Sequence, residues 1–434
     1  MKSLISLATQ RSYRVFLVGV ELKNRRTWEV EESLEELLQL AKTAGTTVVG
    51  QGIQRIPSPT ASTFIGSGKA AEFAKQCDAL DVDTVIFDDE LSPAQNRNLE
   101  KIFCRKVLDR TALILDIFAH RARTREGKLQ VELALLQHLL PRLTRYWSHL
   151  SRQKGGIGLR GGEGETQLEA DRRRVQERIE TIVSELEEVR RQRGIQRRGR
   201  QRHLWPLASI VGYTNAGKST LFNALTGAEV LVEDKLFATL DPTTRQLRLP
   251  TNQHVLLSDT VGFIRKLPHR LVEAFKATLE EVVEADLLIH VVDISHPQAE
   301  EQIQAVNLVL EEIGATGKST LMVFNKTDRV EAPDRIRHLL AQHPQSVAVS
   351  ALEKAGFPAL MAELANLLRP IRQVVDLTIP HHESALIARV HQLGQVIERR
   401  YEDGAVHLAV RLPPYALPEF ARYHRVNAKE SIPF

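Results

Sequence analysis

The sequence predicts a multidomain α/β protein in four parts: an N-terminal α/β domain, a long antiparallel helical hairpin, a doubly wound α/β domain and a small C-terminal α/β appendage. Three observations carry that prediction. Short apolar runs alternate with helical patterns through the first hundred or so residues, a leucine stripe at helical spacing interrupts them after about Thr111, and the alternation resumes from Leu207 to about Leu368. A length of 434 residues exceeds what one compact core serves and suits about two to four domains.

The first part, residues 1–110, opens with a strand at Arg14-Val-Phe-Leu-Val-Gly-Val-Glu, followed by a helix over Glu31 to Thr43, a strand at Thr47-Val-Val and a helix over Lys69 to Leu80. Asp83-Thr-Val-Ile-Phe-Asp is a third strand, and Ser92-Pro93 starts the next helix with a capping residue and a proline at its first position. The second part spans 111–202. Leu129, Leu133, Leu136 and Leu140 share one helical face, Pro141 ends or kinks that helix, and Leu168, Val175, Ile179, Ile182, Leu186 and Val189 keep a heptad rhythm on a second helix. The two read as an antiparallel hairpin about 40 Å long. Its connection, Ser151 to Glu165, is glycine-rich, basic in its first half and acidic in its second. A plain connector is one reading, and an adaptable tip carried to a nucleic-acid surface is the other. Seven arginines between Arg190 and Arg202 read as a linker that hints at a polyanionic partner.

The third part, 203–370, alternates regularly: strand Ala208 to Gly212, helix Lys218 to Leu225, strands near Leu247 and at Val255 to Ser258, helix Leu271 to Val283 and strand Asp286 to Val292. Then come helix Ala299 to Ile313, strand Thr320 to Phe324, helix Asp334 to Gln342, strand Ser346 to Val349 and helix Phe357 to Leu368. The appendage, 371–434, has extended runs around a hairpin turn at Asp403-Gly404.

Composition narrows the class. At 43 % hydrophobic and 26 % charged residues the chain is globular, not disordered. The N-terminal stretch has a lone Lys2 and no sustained apolar core, a poor secretory signal, and apolar runs such as Leu287 to Val292 are far too short to span a bilayer. Cys77 and Cys104 lack metal-site spacing and read as reduced thiols of a cytoplasmic protein.

The chemistry sits in the third part. Gly212-Tyr213-Thr214-Asn215-Ala216-Gly217-Lys218-Ser219, with Thr220 following, is a G-x-x-x-x-G-K-S loop between a strand and a helix. Backbone amides and the helix N-terminus would cradle phosphates, Lys218 would reach the β- and γ-phosphates and Ser219 would ligate Mg²⁺. Two look-alikes fail: Gly317-Lys-Ser-Thr precedes a strand and has Glu312 at the first-glycine position, and Gly66-Ser-Gly-Lys lacks the hydroxyl residue. Asp259-Thr260-Val261-Gly262 ends the next strand and supplies a carboxylate for the metal and an amide for the γ-phosphate. Asn325-Lys326-Thr327-Asp328 follows another. Asp328 accepts from guanine N1–H and the 2-amino group, Asn325 braces the loop and the Lys326 stem covers the base. Ser350-Ala351-Leu352 would meet the guanine O6. Together these motifs predict a P-loop GTPase domain. Phe237-Ala238-Thr239-Leu240-Asp241-Pro-Thr-Thr lies where a switch loop belongs, with Thr239, Thr243 and Thr244 competing for the metal. After Gly262, where a water-orienting glutamine is common, stands Phe263, so unaided hydrolysis should be slow.

The chain resembles the HflX family of ribosome-associated GTPases over essentially its whole length. The carriers are Asp88-Asp-Glu-Leu-Ser-Pro-Ala-Gln, Asp109-Arg-Thr, Lys128-Leu-Gln-Val-Glu-Leu-Ala, Gly161-Gly-Glu-Gly-Glu-Thr-Gln-Leu-Glu-Ala-Asp-Arg-Arg and Phe237-Ala-Thr-Leu-Asp. The resemblance selects Thr239 as the metal threonine. The expected catalytic set is then Lys218, Thr239 and Gly262, and the Mg²⁺ set Ser219, Thr239 and Asp259. It further implies GTP hydrolysis stimulated by the ribosome, binding to the large ribosomal subunit and its rRNA, and splitting or rescue of stalled ribosomes under stress. A cytoplasmic monomer is expected, with peripheral membrane association as the variant. Asn215 is at the position that holds K⁺ in a subset of related GTPases, so K⁺ is a candidate second ion, the other reading being that Asn215 braces the loop by hydrogen bonds. An RNA-remodelling enzyme with ATP bound in the N-terminal domain and a GTP-controlled scaffold for a protein partner are the rival functions.

Overall fold

The structure, a computed structural model, describes residues 13–22, 27–143, 163–201, 205–228, 236–266, 268, 279–330, 333–368, 373–402, 404–412 and 416–424. The first sheet holds β1 (Arg14–Leu22), β2 (Thr47–Ile56), β3 (Thr84–Phe87) and β4 (Lys106–Asp109), ordered β2-β1-β3-β4 and parallel throughout. Its helices are α1 (Thr27–Thr43), α2 (Ser67–Ala79), α3 (Pro93–Phe103) and α4 (Arg110–Arg121). The Ser92-Pro93 start is a full capping box, with Gln95 returning a bond to the Ser92 amide. β2 runs well past the expected Thr47-Val-Val. Gly50 and Gly52 look like breakers, but the rings of Phe16 and Phe73 lie over them where a β-carbon would stand, so the strand continues beneath aromatic cover.

The hairpin pairs α5 (Arg125–Leu139) with α6 (Glu163–Gln201). Leu129, Leu133 and Leu136 pack against Ile182 and Leu186, with Val175 and Ile179 alongside. The ion pairs show the antiparallel sense: Arg178 forks onto Glu132 with two bonds of 2.8 Å, and Arg125 reaches Glu185 at 3.2 Å. Two expectations need correction. The arginine-rich run is not a linker but the last turns of α6, because Arg and Gln are good helix formers and no proline interrupts them, Gly194 and Gly199 being carried along. Among the described residues the two helices also differ in length: α5 has 15 residues, about 22 Å, while α6 has 39, about 58 Å. The tip residues 144–162 and positions 271–278 of the helix expected at Leu271 to Val283 lie outside the described residues.

The second sheet contains β5 (Leu207–Gly212), β6 (Thr243–Arg248), β7 (His254–Asp259), β8 (Leu287–Asp293), β9 (Thr320–Asn325) and β10 (Ser346–Ala348), ordered β10-β9-β8-β5-β7-β6. Only β6 is antiparallel to its neighbour. It is the doubly wound P-loop sheet, with α7 (Lys218–Thr226) leaving β5. The appendage is an antiparallel sheet ordered β11-β13-β12, from β11 (Gln373–Pro380), β12 (Gln395–Glu402) and β13 (Ala405–Leu412), with Gly404 at φ +74° in the turn. Among the described residues no helix is long and apolar enough to cross a membrane.

The core does not stop between the first two sheets. Leu17, Leu34 and Phe118 belong to the same buried cluster as Phe237, Leu240, Phe263 and Val306. At its edge lies a charged knot. Arg110, 2 % exposed, donates to Asp88 Oδ1 at 2.7 Å and pairs with Glu36. Asp88 Oδ2 accepts from Ser33 Oγ at 2.7 Å and from Lys266, while Glu36 accepts from the Tyr213 hydroxyl. Burial opposes the guanidinium charge, but Glu36 and Asp88 outweigh it and hold Arg110 above its ordinary pKa. Breaking a buried pair costs about 3–5 kcal/mol, because the partner charge stays buried. Arg110→Met is therefore expected to lower the chemical-unfolding midpoint strongly, and adding Glu36→Gln to recover part of the loss. A midpoint unchanged by Arg110→Met would mean that water reaches the knot.

Candidate functional site

The loop from Gly212 to Ser219 turns tightly between β5 and α7, and its backbone explains its glycines. Gly212 has φ +150°, and a β-carbon there would run into the Val291 carbonyl oxygen. Gly217 has φ +90° and lies against the Asn325 side chain. Asn215 adopts φ +59°, which asparagine tolerates better than most residues. The loop borders a cavity of about 320 Å³ whose walls include Thr214, Lys218, Thr239, Gly262, Asp328 and Ala351.

Three oxygens converge at one end of it. Ser219 Oγ donates to Asp259 Oδ2 at 2.7 Å, Thr239 Oγ1 donates to the same oxygen at 3.2 Å, and the two hydroxyls are 2.8 Å apart. Asp259 is fully buried, its Oδ1 has no hydrogen-bond partner among the described residues, and burial holds its carboxyl above the ordinary range against the pull of Ser219, Lys218 and Thr239. Two hydroxyls and an under-satisfied carboxylate are the hard oxygen donors a small divalent cation prefers. The competing threonines are elsewhere: Thr243 and Thr244 lie on β6, and the Thr244 hydroxyl donates to Glu281 at 3.3 Å.

Lys218 Nζ donates to the Tyr213 carbonyl at 2.7 Å. Burial pushes its pKa down to about 8, with Lys326 adding to the fall and Asp259 resisting it. The ammonium is thus a buried charge whose partner is one loop carbonyl, ready for a stronger acceptor. At the other end of the cavity, Asn325 Nδ2 donates to the Ala216 carbonyl at 2.9 Å and Asn325 Oδ1 accepts from the Ala351 amide at 2.9 Å. One side chain thereby ties the phosphate loop to the Ser350 loop. Asp328 Oδ1 accepts from Ser350 Oγ at 2.5 Å, which orients the carboxylate. Lys326, at φ +64°, is paired with Asp293 at 2.7 Å.

Not every expected residue faces the cavity. The Tyr213 phenol points into the first sheet's knot and accepts from the Arg265 amide at 2.9 Å. Leu240 and Val261 are buried in the shared core, and Asp241 turns towards the start of α5. Thr214, Thr220, Phe237, Ala238, Thr260, Lys326 and Leu352 all border the cavity, as does Arg329, which the motifs did not single out. Thr327 starts a short 3-10 turn after the Asn325 strand. Phe263 is 2 % exposed, and its ring belongs to the core instead of the cavity. Also unforeseen were Glu36, Asp88, Arg110, Arg265 and Lys266, which join the first sheet to the segments on either side of the cavity. Asp88 and Arg110 stand inside two of the motifs quoted above, and that was their only signal.

Family models match most of the chain: "GTP-binding GTPase N-terminal" over residues 31–119, "GTP-binding GTPase Middle Region" over 121–200 and "50S ribosome-binding GTPase" over 208–326. GTPase HflX of Escherichia coli (strain K12) is 50 % identical over 387 residues, 88 % of this chain and 90 % of its own. GTPase HflX of Magnetococcus marinus is 47 % identical over 384 residues, 88 % of this chain and 89 % of its own. Among solved structures, a GTP-binding protein from the archaeon Sulfolobus solfataricus in complex with GDP is 27 % identical, covering 82 % of this chain and 98 % of that one at a TM-score of 0.42. With a phosphate loop, a guanine-type base loop and relatives alike over nearly its full length, this chain belongs to the HflX family and is a GTP-binding GTP hydrolase.

Proposed function

We propose that this GTPase is a Mg²⁺-dependent switch that applies its helical arm to the RNA of the large ribosomal subunit in the GTP state and splits or rescues stalled ribosomes, hydrolysis releasing it. The observation that supports the switch is the meeting of Ser219, Thr239 and Asp259: three separate segments contribute one oxygen each to a single point beside Lys218. Mg²⁺ at that point would neutralise charge on the β- and γ-phosphate oxygens. Lys218 would exchange the Tyr213 carbonyl for phosphate, and the Gly262 amide would face the γ-phosphate. Asp328, held by Ser350, would take the guanine N1–H and 2-amino protons. The ribosomal part rests on the family description of residues 208–326 and on a basic arm whose arginine-rich end is helical.

Asp328→Asn replaces an acceptor with a donor facing the base. Losing that charge-assisted pair costs about 1.5–3 kcal/mol, so GTP titrations are expected to show affinity at least roughly tenfold lower. Unchanged affinity would remove Asp328 from the base site. For the arm, replacing Arg152 to Gly162 with a short linker is expected to abolish ribosome-stimulated turnover while sparing the basal rate. Stimulation that survives the trim would put the contact elsewhere.

K⁺ beside Asn215 is the second ion this reading takes in. With Phe263 buried in the core, no glutamine follows Gly262 to orient water, and a monovalent cation could stabilise the developing charge as an arginine finger does. Turnover is expected to be faster in K⁺ than in matched Na⁺, and Asn215→Ala to lose the difference while keeping most nucleotide affinity. Equal rates in both salts, with and without ribosomes, would dismiss the cation.

A further inference from the structure

We propose that Asp241 is a positioning residue for hydrolysis: by capping α5 it ties the segment carrying Thr239 to the root of the helical arm, so that arm pose and Thr239 engagement become one equilibrium. The inference rests on the reading of Thr239 as the metal threonine.

Asp241 is in the nucleotide motif by sequence but not by direction. Its Oδ2 accepts from the backbone amides of Arg123 at 2.8 Å and Thr124 at 3.0 Å, and its Oδ1 accepts from the Thr124 hydroxyl. Thr124 is the N-cap of α5 and in turn receives the Gly127 amide at 3.0 Å. A carboxylate at a helix start is favoured by the unpaired amides and the helix dipole. On the other side of Thr239, Phe237 stands edge-on to Phe118 of α4, ring centroids 4.7 Å apart at 81°. Phe237 has φ +57°, a conformation a bulky residue keeps only when its surroundings impose it. Thr239 is thus strung between two anchors, both on the α4–α5 corner, and its neighbour Leu240 is buried in the core beside them.

Gly127 is the independent witness. It lies in the first turn of α5, where alanine would make the better helix, yet a β-carbon there would strike Asp241 Oδ1. The missing side chain leaves room for the carboxylate. From that turn onward α5 is clamped to α6 by the Arg178–Glu132 fork and by Arg125 on Glu185. A force that shifts the arm therefore acts on the cap, and the cap acts on Thr239. Such coupling is reciprocal, so filling the metal site would also favour one arm pose.

The test is GTP turnover against Mg²⁺ concentration in the full chain, without ribosomes, together with thermal melts. Asp241→Ala is expected to lower kcat roughly tenfold and to raise the Mg²⁺ concentration for half-maximal rate. Asp241→Asn, which keeps an acceptor oxygen, should recover part of both. Gly127→Ala should reproduce the kinetic loss without a fall in melting temperature, since the helix itself gains. On the Asp241→Ala background, where the collision with the carboxylate is gone and only the 3.1 Å approach to the Thr124 hydroxyl remains, Gly127→Ala should cost far less than in the wild type. Equal losses from Gly127→Ala on both backgrounds would overturn the proposal. So would wild-type kcat and Mg²⁺ dependence in Asp241→Ala beside a Thr239→Ala variant that has lost both. A Thr239→Ala variant with unchanged Mg²⁺ dependence would fail differently, removing the metal reading and this inference with it.

Discussion

The way the first two sheets meet depends on one buried guanidinium. Arg110 opens α4 directly after the β4 strand, so its position is set by the first sheet. Its charge can stay out of water only while Asp88 and Glu36 both face it, since an ion stripped of hydration costs several kcal/mol unless its geometry is nearly ideal. Those two carboxylates are shared across the boundary: Glu36 takes the Tyr213 hydroxyl from the phosphate loop, and Asp88 takes Lys266 from the segment after Gly262. A knot in which the guanidinium and both carboxylates each hold at least two partners has one arrangement. It therefore sets the register between the sheets in a way that the apolar contacts around it, which tolerate sliding, do not.

That register makes the first sheet part of the nucleotide site without touching the cavity. The amide of Thr214 donates to the Phe263 carbonyl at 2.7 Å, and the amide of Phe263 donates to the Gly212 carbonyl at 3.1 Å. The phosphate loop and the segment after Gly262 are laced together just beneath the point where Tyr213 and Lys266 enter the knot. Arg265 adds a contact to Glu32 at 3.5 Å, although that pair is partly exposed and contributes little by itself. Phe263 belongs to this arrangement. A residue that in other GTPases would reach towards water is here a core side chain, and its ring helps to bury the interface that its backbone helps to lace.

The family motifs gain physical meaning from the same contacts. In Asp109-Arg-Thr, Asp109 caps α4 through the Ala112 amide at 2.8 Å and takes Arg142 at 2.8 Å, while the arginine is the centre of the knot. Asp88-Asp-Glu-Leu-Ser-Pro-Ala-Gln contributes a carboxylate to the knot and then a complete capping box. Glu132, from Lys128-Leu-Gln-Val-Glu-Leu-Ala, holds α6 through Arg178. These residues are inter-element contacts, and no single-residue chemistry would have singled them out.

What the sequence by itself determined was whatever depends on neighbours in the chain. The alternation of strand and helix, the glycines and lysine of the phosphate loop, the order of Asp259, Asn325 and Ser350 after their strands, and the turn at Gly404 are all governed by local backbone geometry and periodicity. They were legible for that reason. Residue chemistry left Thr239, Thr243 and Thr244 equal, and beyond the family resemblance it was the tertiary structure that brought Thr239 to Ser219 and the other two to β6. It also turned Tyr213 and Asp241 away from the cavity, although both sit inside nucleotide motifs. For Tyr213 and Asp241 the deciding partner lies more than a hundred residues away: Glu36 for Tyr213, Thr124 for Asp241. No pattern of spacing can express a contact whose other half is so distant.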